Sequence, residues 1–163
     1  MEKVEFLILR NLLYNEEYVR KVIPFLKSEY FEDHNQKVVF EEISNFVQEY
    51  NTPATKEVLC IETEKRQDIN DTSFKEISDL ITSLEETPSE LDWLVHTTEK
   101  WCRDRAIYLA LMEAIQLADG KDESTGRDAI PSILSDALSV SFDNHVLCYY
   151  QMILLEPQIK YQD

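Results

Sequence analysis

The chain has 163 residues, with 16 lysines and arginines against 32 aspartates and glutamates, which gives a net charge of -16. Its length fits one domain, and its composition, with only two glycines and five prolines among many good helix formers, favours an all-α fold. So negative a surface repels phosphate backbones, and it excludes strong direct nucleic-acid binding by this chain.

Two short helices are predicted to open the chain. Apolar residues at helical spacing predict the first over residues 4–12. Asn15, followed by two glutamates, predicts the cap of the second, which runs to about Ile23 before a proline. An amphipathic pattern then predicts the first long helix over residues 32–50, which the sequence Asn-Thr-Pro ends.

The middle of the chain continues the helical pattern without a strand signal. Thr55 predicts the start of a fourth helix. Asp71 or Thr72 begins a fifth, which the proline at position 88 ends. Residues 1–88 are therefore expected to form a small helical bundle.

A long helix and a helix that folds back on it are predicted next. Ser89 predicts the cap of a helix reaching about Asp119, which at 1.5 Å per residue spans roughly 45 Å, longer than a domain of this size needs. The glycine-containing segment 120–129 predicts a loop, and an amphipathic pattern predicts a last helix after it. Residues 89–143 are therefore expected to form a projecting αα-hairpin, followed by a tail, 144–163, of no assigned role.

The sequence lacks the motifs of several enzyme classes. Gly120 and Gly126 are one residue too far apart for a Walker loop, and Arg127 follows where that loop needs a lysine. The same scarcity of glycine excludes the nucleophile elbow and the dinucleotide fingerprint. No Glu-x-x-His pair for two irons and no cysteine and histidine spacing for zinc is found. We therefore expect no catalytic residue, no cofactor and no metal ion in this chain.

The stretch SEYFEDHNQKVVFEEI, residues 28–43, is the place that most resembles a metal-ligand cluster. A helix start explains it more simply, because carboxylates such as Glu32 and Asp33 are favoured in the first turn by the helix dipole. Glu41 and Glu42 are expected on the solvated side of that helix. His34 has no second histidine or cysteine nearby, so we expect it to be structural.

Cysteine usage and the N-terminus predict the compartment. Cys60, Cys102 and Cys148 are far apart and outside any paired motif, which indicates free thiols in a reducing compartment. The apolar N-terminus is interrupted at Arg10 and Asn11 and has no cleavage site, which argues against a signal peptide or a membrane span. A soluble, cytoplasmic protein without membrane contact is expected.

The order of residues resembles a known family. The run FLILRNLLYNEEYVRKVIPFLKSEYFEDHNQKVVFEEISNFVQEYNTPATKEVL is similar to the N-terminal domain of DnaB-type replicative DNA helicases. WLVHTTEKWCRDRAIYLALMEAI resembles the long hairpin helix of that family, and AIPSILSDALSVSFD resembles the returning one. The likeness covers about residues 4–143 and is greatest to the helicases of myovirus-type tailed phages.

The resemblance implies a non-catalytic collar domain. Such a domain pairs with neighbouring subunits, as a dimer and within the hexamer of the full-length helicase, and docks primase and a helicase loader. It would act in the cytoplasm of an infected bacterium. In the family a linker and an ATPase follow, whereas residues 145–163 do not resemble that linker. A stand-alone regulator or decoy of a helicase ring is the alternative, and a helical-bundle enzyme is a third, weaker one.

The hairpin is expected to carry the subunit interface. Its long helix has apolar residues on more than one face, and two helices alone cannot cover so wide a surface. Alanines every four residues would also let helices approach closely. Trp93 and Trp101 are candidate interface residues too, although core packing is the favoured interpretation of both. The residues assigned to the interface are Leu94, Trp101, Arg105, Ala106, Leu109, Ala110, Ala114 and Leu117.

Overall fold

The computed structural model describes residues 3–120 and 126–142, and in these residues all regular structure is helical. The α-helices are α1 Val4–Tyr14, α2 Glu16–Val22, α3 His34–Tyr50, α4 Lys56–Glu64, α5 Asp71–Ser83, α6 Leu91–Ala118 and α7 Ile130–Leu138. Single 3-10 turns lie at Ile23–Phe25, Ser28–Tyr30 and Arg127–Ala129. The predicted all-α fold is confirmed. The tail, 144–163, lies outside the described residues.

Side-chain caps start several of the helices where the sequence predicts. Asn15, Thr55 and Asn70 each accept a hydrogen bond from the backbone N–H three residues further on, at 3.0, 3.3 and 2.8 Å. Asn51 adopts the left-handed conformation, with φ 53°, and ends α3 as predicted. Local signals therefore set most helix boundaries.

Two predicted helix starts are wrong by one or two residues. Glu32 precedes α3, and Asp33 is its cap, accepting a hydrogen bond at 2.9 Å from a backbone N–H of the first turn. Glu90, rather than Ser89, caps α6, because its longer side chain reaches two backbone N–H groups at 3.1 and 2.7 Å. These hydrogen bonds, above all the one from Trp93, hold the pKa of the Glu90 carboxyl below its usual value.

One apolar core joins α1 to α5 with the first part of α6. The early turns of α6 pack on α1, on α2 and on the Ser28–Tyr30 turn. Trp101 lies at this contact, with its ring 5.0 Å from that of Phe31 and edge-on to that of Tyr30 at 6.1 Å. The core continues along α6 as far as Cys102, so the division of the chain at residue 88 stays a prediction. Beyond Cys102 the main neighbour of α6 is α7.

A buried hydrogen bond fixes α2 on α6. The hydroxyl of Thr98 donates to the carbonyl of Leu94 at 2.8 Å, so the Tyr18 hydroxyl donates to Thr98 Oγ1 at 2.6 Å. Both side chains are fully buried. Burial raises the pKa of Tyr18 well above its usual value, which keeps the phenol protonated as a donor.

Arg66, which follows α4, ties that part of the chain to α3. It donates hydrogen bonds to Glu42 at 2.9 Å, to Glu41 at 3.1 Å and to Asp68 at 2.7 Å. The bond to Asp68 is the main reason that the pKa of Arg66 lies above its usual value, and it also lowers the pKa of Asp68. The prediction that Glu41 and Glu42 lie on the solvated side is wrong for Glu42, whereas the Glu41 side chain is 34% exposed. The Glu42 side chain is only 12% exposed, because Arg66 covers it.

Two substitutions at the buried hydrogen bond between Tyr18 and Thr98 should lower the stability of the fold by different amounts. Thr98→Val should lower the free energy of unfolding by about 1–3 kcal/mol, because it leaves the buried Tyr18 donor without an acceptor. Tyr18→Phe leaves the bond from Thr98 to Leu94 intact and should cost about 1 kcal/mol. Urea denaturation followed by circular dichroism gives both values. A larger loss for Tyr18→Phe than for Thr98→Val would contradict this account of the bond.

Arg66→Ala should lower the free energy of unfolding by about 1–2 kcal/mol, because the half-buried Glu42 would keep its charge without a partner. The matched control is Lys65→Ala, since Lys65 is 65% exposed and its pair with Glu62 is solvated. This control should leave the urea midpoint unchanged. Equal effects of the two substitutions would contradict a structural role for the Arg66 cluster.

Candidate interaction surface

The part of α6 beyond Cys102 and the antiparallel α7 form a hairpin that projects from the bundle. Ala110 and Ala137 are buried, at 6% and 7% exposure, and lie on facing parts of the two helices. Such small side chains allow close approach of two helix backbones. The predicted return of the last helix onto the long one is therefore confirmed.

Polar contacts close the base of the hairpin. Glu99 accepts a hydrogen bond from the backbone N–H of Phe142 at 2.8 Å, and Arg103 donates to the carbonyl of Val140 at 2.9 Å. The Phe142 ring stacks on Phe25 of the bundle with ring centroids 4.5 Å apart. The chain thus returns from the hairpin to the place where α6 leaves the core.

The eight residues assigned to the interface by sequence are all at least half-buried within this chain. Arg105, for example, is half-buried and donates to the carbonyl of Tyr30 at 2.6 Å. Four of the eight are buried, namely Leu94, Trp101, Ala110 and Leu117. The other four are half-buried, namely Arg105, Ala106, Leu109 and Ala114. Their pairing between subunits stays a prediction.

The exposed apolar face of the hairpin lies on other residues of α6. Tyr108, Leu111, Met112 and Ile115 are between 43% and 55% exposed. Their spacing of three, one and three residues places them on one side of the helix. We call these four residues the hairpin stripe. The guanidinium of Arg105 lies 4.9 Å from the ring centre of Tyr108, at the end of the stripe nearest the bundle.

Sequence reasoning missed the hairpin stripe. The second half of α6 reads IYLALMEAIQLA, which is apolar on nearly all sides, so periodicity alone does not tell which face α7 covers. Core packing, the favoured interpretation of both tryptophans, is confirmed for Trp101. It is wrong for Trp93, which is 55% exposed.

The remaining candidate residues from the sequence are His34 and the cysteines. His34 is exposed at the first residue of α3. Within residues 3–120 and 126–142, no three His, Cys, Asp or Glu side chains converge as metal ligands would. In the same part of the chain, no helix combines the length and apolar character needed to cross a membrane. Cys60 and Cys102 are free thiols, as predicted, and Cys148 lies outside the described residues.

Comparison with known proteins identifies the class to which this all-helical bundle and hairpin belong. Residues 1–97 match the family model of the DnaB-like helicase N terminal domain, and the chain belongs to this family. A DnaB-like replicative helicase of Enterobacteria phage T4 is 32% identical over 148 residues, which cover 86% of this chain and 31% of that protein. The chain therefore spans about a third of the length of that relative. The resemblance seen in the sequence is confirmed.

The free thiols should differ in reactivity. Burial raises the pKa of Cys102 to about 12, so at pH 8 its thiol is both protonated and shielded. We expect iodoacetamide to label Cys102 at least about tenfold more slowly than the half-buried Cys60. Peptide mapping by mass spectrometry separates the sites. In urea the rates should become similar, and fast labelling of native Cys102 would contradict its burial.

Proposed function

We propose that this chain is a non-catalytic collar domain of a replicative DNA helicase, which pairs subunits and docks primase or a helicase loader. Membership of the DnaB-like N-terminal family supports the helicase role. The absence of a Walker motif from the sequence is the reason that no catalytic step is assigned to it. In this role the domain would act in the cytoplasm of an infected bacterium.

The observation that carries the pairing role is the exposed hairpin stripe. Its four apolar side chains lie on the part of α6 beyond the core, and within residues 3–120 and 126–142 they stay between 43% and 55% exposed. An exposed apolar patch of this kind is typical of an interaction surface. A second copy of the hairpin is the natural occupant, because a two-fold axis brings the same patch of two subunits together.

Charge gives this pairing a distinctive salt dependence. Each copy carries a net charge of -16, so two copies repel one another at low ionic strength. Salt screens that repulsion, whereas apolar contact is not weakened by it. Dimers held by the hairpin stripe should therefore become more stable as sodium chloride is raised from about 0.05 to 0.5 M.

The pairing role is tested by the double substitution Leu111→Glu with Ile115→Glu. Because both side chains are exposed, the helix should still form, while the apolar contact between copies is lost. We expect a folded monomer by circular dichroism and by light scattering at micromolar concentration. Ala110→Glu is less informative, because Ala110 is buried against α7 and its change would disturb the hairpin itself.

The control is Trp93→Glu, which places one glutamate on an exposed apolar site at the other end of α6; the single substitution Ile115→Glu, which adds the same charge to the hairpin stripe, is compared with it. The Trp93→Glu variant should keep the dimer. A wild-type chain that remains monomeric at hundreds of micromolar in high salt would refute pairing through the hairpin.

The docking role is tested separately by calorimetry. Titration of the full chain with primase and with helicase loader from the same source should show binding of at least one of them. The absence of heat and of a complex by light scattering, for both partners, would remove docking from the proposal and leave pairing untouched.

A further inference from the structure

A second apolar surface lies between α3 and α4, away from the hairpin. It is a groove of about 380 Å³ whose apolar lining comes from Phe46, Tyr50, Val58 and Ile61. Tyr50 is 59% exposed and Ile61 is 47% exposed, while the rings of Phe46 and Tyr50 lie 4.7 Å apart. The main neighbours of α4 are α3 and α5, so the groove is separate from the hairpin stripe.

The rim of this groove is acidic. It carries Glu42, Glu49 and Glu62 beside Lys65. Because Arg66 already pairs with Glu42, the exposed carboxylates that a partner would meet are those of Glu49 and Glu62. Glu62 pairs with Lys65 at 2.8 Å, but both side chains are exposed, so the attraction between them is weak in water. Glu49 is exposed beside Tyr50, and its charge raises the pKa of the Tyr50 phenol. A positively charged side chain that enters the groove would meet a favourable field.

We propose that this groove docks an amphipathic helix of a partner protein that carries lysine or arginine beside its apolar stripe. Nine residues of α4 give the groove a length of roughly 14 Å, which suits two to three turns of a helix with apolar residues at positions i, i+3 or i+4, and i+7. The apolar residues would contact Tyr50 and Ile61. The basic residues would pair with the acidic rim and speed association.

Charge argues against the other occupants. A second copy placed symmetrically would bring two acidic rims together, and a nucleic acid would be repelled by the same carboxylates. The segment 144–163 of this chain has one lysine, Lys160, against Glu156 and Asp163, so it does not supply the basic side chains. The inference rests on the docking role proposed above only for the identity of the natural partner.

Fluorescence anisotropy with a defined probe tests the groove. The probe is a fluorescein-labelled peptide of about 15 leucines and lysines, with leucines at helical spacing, added to the full chain. A peptide of the same composition in scrambled order is its control. We expect the patterned peptide to bind at least about tenfold more tightly than the scrambled one. Equal binding of the two peptides, or no binding of the patterned one, would overturn the proposal.

Matched variants assign the binding to the groove. Ile61→Asp should weaken binding of the patterned peptide by about tenfold or more, and Glu49→Lys by severalfold at low salt. The controls Ile115→Asp on the hairpin stripe and Glu85→Lys on the exposed segment after α5 should change it by less than about twofold. Glu49 is exposed, so its variant keeps the test valid if Ile61→Asp unfolds the chain. Loss of binding in Ile115→Asp alone, or equal losses in Glu49→Lys and Glu85→Lys, would show that the peptide does not bind in the groove.

Light scattering separates this inference from the hairpin pairing. Ile61→Asp and Glu49→Lys should keep the oligomeric state of the wild-type chain, because neither residue lies on the hairpin. A groove variant that lost both peptide binding and self-association would contradict the separation of the two surfaces. Loss of the dimer only in hairpin variants leaves the groove proposal standing.

Discussion

A single unbroken helix, α6, packs in the core over its early turns and against α7 over its later turns, and the rest of the structure depends on that constraint. α6 has 28 residues without a glycine or proline, so it cannot bend sharply where it leaves the core. Its early turns are held by Trp101 and by the buried bond between Tyr18 and Thr98. These core contacts therefore set the direction in which the later turns of α6 leave the bundle.

The helical elements could be read from the sequence because their signals are local. Asn15 and Thr55 cap the helices that they were expected to cap, and the amphipathic pattern identified every long helix. Interactions between distant residues left no such signal. Arg66 lies 24 and 25 residues from its two partners on α3. The sequence around Glu41 and Glu42 therefore does not indicate that an arginine will contact them. The same carboxylates that looked solvated are thus parts of a tertiary contact.

The candidate interface shows a second limit on what can be predicted from the sequence. Sequence indicated that the second half of α6 has more apolar surface than one helix covers, but it left open which face α7 covers and assigned the alanines to the contact between subunits. The structure uses Ala110 at the contact with α7, where little space separates the helices, and leaves the larger Leu111 and Ile115 outside. Small residues lie where backbones meet, so their repeat marks the inner contact as readily as an outer one. Only the position of α7 distinguishes the two.

The closed base of the hairpin has a consequence for how proteins of this shape can diverge. Glu99 and Arg103 hold the returning chain at Val140 and Phe142, beside the point where α6 leaves the core. The two ends of the hairpin therefore lie close together. Matched insertions or deletions of whole helical turns near its tip would leave both ends in place. Sequence drift can thus lengthen or shorten the reach of the domain without refolding the bundle and without redirecting the chain that comes after it.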